Sequence, residues 1–357
     1  MRHQLLLPAL VLTLSAQTPA PAPLSAADRA AVVERLGKEL WANYVFPEVA
    51  ERVAKELAGK LAKGGYNQAA TPEAFAKALH EDLRALGQDS HFRVRFDPGF
   101  RPMGEDEDKP LTPEEKAEMR TMSARHGFGI ARVEILPGNL GYLDLRGFGP
   151  TEFVGAAYSN AMGLLSGTDA LILDLRQNGG GDPESVAYLM SHFFEEGDTR
   201  HINDIYNRPK DRTRQYWTSP LAGPRYTRPV YVLTSAWTFS GGEECAYDFQ
   251  TQKRATLVGE TTGGGANPGG PVSLGHGFVA FIPTGRAINP VTHTNWEHVG
   301  VKPDRAVPAA EALKVAQVEL LKGLLGKEKE VDSRKRLEEV LARVEKGEAE
   351  KPRYSHP

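Results

Sequence analysis

Apolar positions recur with the 3.6-residue helical period in three successive segments between residues 25 and 87. Gly64-Gly65 ends the second segment, Thr71-Pro72 begins the third with a cap and a first-turn proline, and Gly87 closes it. We therefore predict a three-helix N-terminal domain over residues 25–90. The positions that define the three apolar faces are Val32, Val33, Leu36, Leu40 and Trp41; Val49, Val53, Leu57 and Leu61; and Phe75, Leu79, Leu83 and Leu86.

The pattern changes to strands and helices from about residue 128. FGIARVEIL and LGYLDLRGF flank a Pro-Gly-Asn turn and predict a hairpin. DALILDLR and RPVYVLTS are apolar runs typical of buried strands, and predicted helices follow both of them. Strands that alternate with helices indicate a mixed sheet covered by helices, an α/β fold. We predict a linker and charged loop over residues 91–127, a β/α core over 128–308 and a C-terminal helical tail over 309–357.

The first 22 residues have the pattern of a secretory signal peptide. A basic start, MRH, precedes the apolar run LLLPALVLTLSA and a proline-rich exit, AQTPAPAP, with cleavage expected between Ala16 and Ala22. Pro8 and the polar exit disfavour the alternative, a buried N-terminal helix. The apolar run is too short to span a bilayer, so we predict an exported protein, periplasmic or secreted, with no stable membrane span.

Composition excludes several classes of function. The chain has 357 residues, 25% of them charged, and a net charge of -3, with no basic stripe that would suit nucleic acid. The single cysteine, Cys245, predicts a small buried hydrophobe in a fold without disulfides. No H-E-x-x-H motif or Cys/His spacing predicts a metal, and no cofactor is expected.

Ser240 follows a predicted buried strand in the stretch TFSGGEE, at the start of a predicted helix. One interpretation is a helix N-cap with acidic residues in the first turn. The other is a nucleophile, because a hydroxyl beside unsatisfied backbone N–H groups suits acyl transfer. The α/β-hydrolase elbow is disfavoured because the leading glycine of G-x-S-x-G is missing.

A second glycine cluster, LDLRQNGGGD, follows the other buried strand. A tight turn is the plainer interpretation, and a phosphate-binding loop is disfavoured because G-x-x-x-x-G-K-[ST] does not occur. Two such loops at the carboxyl edge of one sheet predict a shared crevice.

Three ordered blocks carry a family resemblance: LILDLRQNGGGD, then VYVLTSAWTFSGGEECAYDFQTQKRATLVGETTGGGANP, then NWEHVGVKPDRAVPAAEAL. They resemble the serine peptidases that include the C-terminal processing (tail-specific) proteases, the tricorn core protease and the interphotoreceptor retinoid-binding protein modules. NYVFPEVAERVAKEL and GQDSHFRV resemble the N-terminal domain of the retinoid-binding-protein-like branch. The resemblance implies a mixed α/β core of the ClpP/crotonase-like type and covers residues 25–315.

The resemblance also implies a site. Ser240 would be the nucleophile, and the lysine base of the tail-specific branch is absent, because Thr261 and Gly265 stand at its possible positions. The tricorn-like branch uses a histidine preceded by serine and a downstream glutamate. Ser90-His91 and Glu297 fit that pattern.

Neutral histidine is the natural base for a serine hydroxyl, so His91 would take the Ser240 proton while Ser90 and Glu297 orient and stabilise the imidazole. By alignment with the family's motifs, the backbone N–H groups of Gly241 and Gly180 would form the oxyanion hole.

Other interpretations of the same residues stay open. Without the family pattern, His91 is a structural histidine, Glu297 is a solvated acid, and His298 competes as the base. Asp89 is an alternative to Glu297 if its side chain and that of His91 both turn inward. A basic run, Arg208, Lys210, Arg212 and Arg214, is a solvated turn or a receptor for a peptide carboxylate.

The interval from Asp97 to Phe128 is too short for the PDZ domain that tail-specific proteases carry there, so β-augmentation of substrate C-termini is not implied.

The sequence predicts an exported serine peptidase acting on peptides or unfolded proteins. The alternatives are a non-catalytic carrier of apolar ligands and an esterase-like serine hydrolase.

Overall fold

The computed structural model describes residues 24–101 and 111–348. The predicted signal peptide, residues 1–22, lies outside the described residues, as does GEDEDKP, the acidic part of the predicted charged loop. Helices of the described part are α1 Ala26–Asn43, α2 Pro47–Ala62, α3 Pro72–Gly87, α4 Pro113–Arg125, α5 Thr151–Leu165, α6 Pro183–Met190, α7 Gly241–Thr251, α8 Ala309–Leu325 and α9 Val331–Lys346. Strands are β1 Arg93–Phe96, β2 Ile130–Leu136, β3 Leu140–Leu145, β4 Ala170–Asp174, β5 His201–Asn207, β6 Arg212–Trp217, β7 Val230–Thr234, β8 Thr256–Gly259, β9 Gly269–Gly275, β10 Phe278–Pro283, β11 Gly285–Ile288 and β12 Arg305–Ala306.

The three N-terminal helices form where the apolar periodicity predicts them. Ser25 and Asp28 form a capping box at the start of α1, and the Thr71 side chain accepts the Ala74 N–H at the start of α3. The predicted apolar faces of α1, α2 and α3 are largely buried, except that Trp41 is 65% exposed. The helices share one apolar cluster with β9 and β10. The helical segment therefore packs directly on the strands that follow it late in the chain.

A six-stranded sheet in the order β12-β8-β7-β4-β3-β2 forms the centre of the core. β3, β4, β7, β8 and β12 run parallel, and β2 joins the edge as the antiparallel partner of β3, as the hairpin pattern predicts. One face packs against α5, α6 and α7, and the other against α8 and α9. Because β4 and β7 are neighbours, the loops after them meet at one edge of the sheet.

Two three-stranded sheets flank the central one, in the orders β1-β10-β9 and β11-β5-β6. β1 is antiparallel to β10, with Arg93 opposite Phe281 and Phe96 opposite Phe278. His91 lies just before β1, so this pairing fixes the turn that carries it against the core.

Residues 91–127, predicted to be a linker and charged loop, contain β1 and α4. A capping box of Thr112 and Glu115 begins α4, and Pro113 stands at its first turn. None of its residues is buried, so the helix has no apolar stripe that sequence periodicity could detect. This part of the chain is structured where a linker was expected.

The predicted fold class is confirmed: the chain is a mixed α/β protein with a helical N-terminal region. The domain boundaries remain predictions. Within the described ranges, no helix is long and apolar enough to cross a membrane. Cys245 is a free cysteine buried in α7.

Candidate active site

Ser240 stands at the N-cap of α7, directly after the loop that follows β7. Its backbone has φ 54° and ψ -122°, a left-handed conformation that costs a residue other than glycine about 1–3 kcal/mol. Such strain persists only where neighbouring groups hold it. Here the Ser240 N–H donates to Glu243 Oε2 at 2.9 Å.

Glu243 is fully buried and anchors the nucleophile loop. Its carboxylate also accepts the Thr262 hydroxyl at 2.5 Å and the N–H groups of Gly264 and Gly265 at 2.6 and 2.9 Å. Burial raises its pKa, and these hydrogen bonds act in the opposite direction. One side chain thus joins the start of α7 to the loop that follows β8.

His91 lies against Ser240 although 149 positions separate the two residues in the chain. His91 Nε2 is 3.0 Å from Ser240 Oγ, within hydrogen-bond distance. The imidazole is buried between the rings of Phe239 and Phe281, with ring centroids 4.6 and 6.0 Å away. Burial, and secondarily the charge of Arg93, lowers the pKa of His91 to about 4, so the ring is neutral near neutral pH.

Two carboxyl groups lie on the other side of the imidazole. The ligand atoms of Asp89, His91 and Glu297 all lie within 4.8 Å of one another. Asp89 Oδ1 is 3.9 Å from His91 Nδ1 and accepts the His91 backbone N–H at 2.9 Å. His91 Nδ1 and Glu297 Oε1 are buried and have no hydrogen-bond partner among the described residues. The predicted histidine and glutamate are therefore brought together, with Asp89 as a second acid.

The two acids differ in their surroundings. Asp89 Oδ2 accepts from Asn267 Nδ2 at 2.9 Å and from the Tyr44 hydroxyl at 3.2 Å, although burial raises its pKa. Burial, followed by the charge of Asp89, raises the pKa of Glu297 to about 8, while the Ala266 N–H donates to its Oε2 at 2.5 Å. Both acids thus have raised pKa values, and the Asp89 carboxylate has the larger number of side-chain donors.

Among the described residues, the Ser90 hydroxyl makes no hydrogen bond to the His91 imidazole. The reason is the turn: Asp89 Oδ1 accepts the N–H two residues on, which directs residues 89 and 91 to the same side. Asp89, expected only as an alternative to Glu297, therefore lies beside the imidazole, with Oδ1 3.9 Å from His91 Nδ1.

Glycines of the loop after β4 approach Ser240 closely. A Cβ on Gly180 would lie 2.7 Å from Ser240 Cβ, so only glycine fits there. The Gly180 N–H, however, donates to Asn178 Oδ1 at 2.8 Å, which contradicts the oxyanion-donor role predicted for it. Gly181 and Gly241 instead line the pocket beside Ser240. Because NGGG contains three consecutive glycines, the sequence alone does not indicate whether Gly180 or Gly181 has its N–H group available to the site.

This pocket is small, about 20 Å³, and its walls include Ile205, Ala287 and Trp296. Glu244 also lines it. The Glu244 carboxyl is buried, and its Oε1 has no hydrogen-bond partner within residues 24–101 and 111–348. The dimensions suit one water molecule or a short side chain.

The trio of Asp89, His91 and Glu297 also has the ligand types that a divalent cation accepts. Its histidine, however, presents Nε2 to Ser240 Oγ at 3.0 Å, while Asp89 Oδ1 lies 3.9 Å from Nδ1, so the imidazole stands between a hydroxyl and an acid. His298, the competing histidine, is exposed at 61% of its side-chain surface and does not contact Ser240.

Two family descriptions match the chain. Peptidase family S41 matches residues 139–307, and the N-terminal domain of peptidase S41 in eukaryotic IRBP matches residues 26–127. The chain is 30% identical over 193 residues to carboxyl-terminal-processing peptidase 2, chloroplastic, of Arabidopsis thaliana, which covers 50% of this chain and 35% of the relative. It is 28% identical over 170 residues to the carboxyl-terminal-processing protease of a Synechocystis strain, and the match covers 47% of this chain and 38% of the relative. The chain thus matches little more than a third of each relative's length.

Solved structures share the fold. The tricorn protease superposes with a TM-score of 0.52 at 14% identity, covering 90% of this chain and 37% of that one. A lipoprotein from Streptococcus agalactiae gives a TM-score of 0.52 at 14% identity, and the superposition covers 87% of this chain and 99% of the lipoprotein. At 14% identity these likenesses concern the fold alone. The two family matches show that the chain belongs to peptidase family S41, with the N-terminal domain of its IRBP-like members.

Proposed function

We propose that the protein is an exported serine peptidase that cleaves peptide bonds through an acyl-enzyme on Ser240, with His91 as general base. The observation that supports this most directly is the 3.0 Å contact between Ser240 Oγ and His91 Nε2. The residue order and surroundings also fit the histidine-dependent branch of the family. Export rests on the signal-peptide pattern of residues 1–22.

In the proposed reaction, neutral His91 accepts the Ser240 proton at Nε2 while Oγ attacks the carbonyl carbon of the scissile bond. The tetrahedral intermediate collapses when His91 returns that proton to the leaving amine. Water then attacks the ester, again with His91 as base, and the acid product leaves. Each proton that His91 takes is given back within the cycle.

The acids act on the other side of the ring. A proton on Nδ1 points toward Asp89 and Glu297, which fixes the tautomer that leaves Nε2 free to accept. When His91 becomes cationic, the negative charge on Asp89 stabilises it. Asp89 and Glu297 are positioning residues in this scheme, because they act through His91.

The oxyanion would be bound by backbone N–H groups of Gly241, at the N-terminus of α7, and Gly181. The helix dipole adds to this stabilisation because its positive end lies at Ser240. A single donor of this kind is worth about 10²–10³-fold in kcat.

A second candidate function, carriage of an apolar ligand, is favoured by one observation. A cleft of about 350 Å³ with apolar walls lies on the far side of the Gly180 loop. Its walls include Met119, Met122, Phe148 and Val154. A carrier, however, has no chemical need for the strained serine and its buried histidine. Ester hydrolysis uses the same groups as peptide hydrolysis and is separated from it only by substrate tests.

The test is hydrolysis of a denatured protein and of a peptide library by the purified protein, with products identified by mass spectrometry. We expect new carboxyl and amino termini from the wild type, and a loss of about 10⁴-fold or more in Ser240→Ala and His91→Ala. Ser219→Ala, an exposed serine, is the matched control. Hydrolysis of esters alone would select the esterase, and binding of an apolar probe without any hydrolysis would select the carrier.

A further inference from the structure

A cleft of about 360 Å³ adjoins the pocket beside Ser240. The two share three lining residues, Pro183, Ile205 and Pro268, so one continuous depression runs from the nucleophile into the cleft. β6 and β9 contribute to its walls, and both are edge strands of their sheets. Edge strands offer unpaired backbone groups to an extended chain. The cleft is therefore shaped for a segment of polypeptide next to the scissile bond.

Positive charge dominates the cleft. Lys210, Arg212 and Arg214 line it, and no Asp or Glu is among the described residues that do. Arg212, Arg214 and Tyr216 alternate along β6, so their side chains share one face of the strand. This alternation directs both guanidinium groups to the cleft, which a randomly solvated basic turn would not do.

The acidic residues near the cleft leave the guanidinium groups of Arg212 and Arg214 able to bind a ligand. Arg214 pairs with Glu184 at 2.7 Å, but both side chains are more than half exposed, so the pair is weak. Arg212 has no ion-pair partner among the residues that the structure describes. The two acids of the β5–β6 hairpin have partners within it: Asp211 Oδ1 accepts the Tyr206 hydroxyl at 3.1 Å, and Asp204 Oδ1 lies 2.7 Å from His201 Nε2.

We propose, on the basis of the proposed peptidase function, that this cleft binds a carboxylate of the substrate within a few residues of the scissile bond. Arg212 and Arg214 are its direct ligands, since a guanidinium fork matches a carboxylate in two parallel hydrogen bonds. An extended chain advances about 3.3 Å per residue, so a residue close to the bond reaches a cleft that begins at the same walls. The carboxylate comes from an acidic side chain or from the peptide's free C-terminus.

Three peptides with one scissile sequence separate these sources. The first carries an acidic side chain and an amidated C-terminus, the second a neutral side chain and a free C-terminus, and the third is neutral and amidated. Binding is measured by fluorescence anisotropy to the Ser240→Ala protein, and hydrolysis as kcat/KM with the wild type. The binding arm does not need catalysis, so it tests the cleft even if the peptidase proposal fails.

We expect one of the carboxylate peptides to bind and react better than the neutral one by about tenfold or more, the typical strength of a charged hydrogen bond. Arg212→Gln with Arg214→Gln removes this advantage and leaves the neutral peptide unchanged. Arg286→Gln is the matched control, because Arg286 stacks on Tyr206 on the opposite face of the same sheet. Preference for the side-chain acid or for the free C-terminus identifies the source. Equal handling of all three peptides, or a preference that persists in the double variant, would overturn the proposal.

Discussion

The buried imidazole of His91 determines how the site responds to acid. Burial lowers its pKa to about 4, whereas an ordinary histidine titrates near 6.5. We expect the acid limb of the profile of kcat/KM against pH to have its midpoint well below the pKa of an ordinary histidine, because His91 stays neutral at about pH 5. A pH profile with a soluble peptide substrate measures this. A midpoint near the ordinary histidine value would mean that His91 is solvated in the working enzyme.

Variants of Asp89 and Ser90 test which of these two neighbours orients the imidazole of His91. Asp89→Asn keeps the size of the side chain but removes the charge that stabilises the imidazolium, so we expect kcat to fall by about 10²–10⁴-fold with KM little changed. Ser90→Ala should remain within about threefold of the wild type, because it removes no hydrogen bond to His91. Steady-state kinetics of the two variants decides this. A large loss in Ser90→Ala with a small one in Asp89→Asn would restore the assignment that the family resemblance implied.

At the scale of elements, the turn from α3 to β1 holds His91 in place. Gly87 ends α3, and a Cβ there would lie 2.4 Å from the ring of Phe92, which is fully buried beside His91. Gly87→Ala should therefore lower the free energy of unfolding by about 1–3 kcal/mol, the usual cost of overpacking, and reduce kcat/KM. Urea unfolding and peptide kinetics measure the two effects.

Gly163 in α5 is the matched control for that variant. No atom lies within 4 Å of a Cβ added there, so Gly163→Ala should keep full activity and gain up to about 1 kcal/mol from helix propensity. Equal behaviour of the two alanine variants would contradict the role assigned to the α3–β1 turn.

Across the whole molecule, buried acids should make the fold less stable as pH rises. Burial, with the charge of Asp182, raises the pKa of Glu244 to about 8 from an ordinary value of 4.5. The folded state keeps this proton where the unfolded chain has released it, so the free energy of unfolding declines between about pH 4.5 and about pH 8. Glu297 has its pKa raised in the same direction and adds to the decline.

Glu244→Gln should reduce this dependence, since glutamine cannot release a proton on unfolding. Urea unfolding at about pH 5 and about pH 8 should show a smaller loss in Glu244→Gln than in the wild type. Glu184→Gln, an exposed acid, should follow the wild type. Parallel losses in all three proteins would mean that Glu244 is not protonated in the folded state.

The sequence predicts much of the molecule because its signals are local. Helix periodicity and caps locate α1 to α3, and two apolar runs locate β4 and β7, whose loops meet at the site. The family pattern names Ser240, His91 and Glu297, which lie together. These predictions depend on spacing and on ordered motifs, which a linear chain displays directly.

Other features depend on three-dimensional geometry that no spacing encodes. Asp89 turns inward because its carboxylate accepts the backbone N–H of His91, and the Gly180 N–H donates to the side chain of Asn178. α4 has no apolar stripe, so periodicity missed it. The cationic face of β6 is visible as alternation, but its position beside Ser240 requires β5, β6 and β11 to be folded against the core.

If His91 activates Ser240 as a nucleophile, Ser240 should react with a fluorophosphonate probe, which modifies activated serines. The purified protein is treated with the probe, and the modified peptide is identified by mass spectrometry, with Ser240→Ala and His91→Ala alongside. We expect stoichiometric modification of Ser240, none in Ser240→Ala, and strongly slowed labelling in His91→Ala. A correctly folded wild-type protein that does not react, or that reacts at the same rate without His91, would contradict the activation of Ser240 by His91.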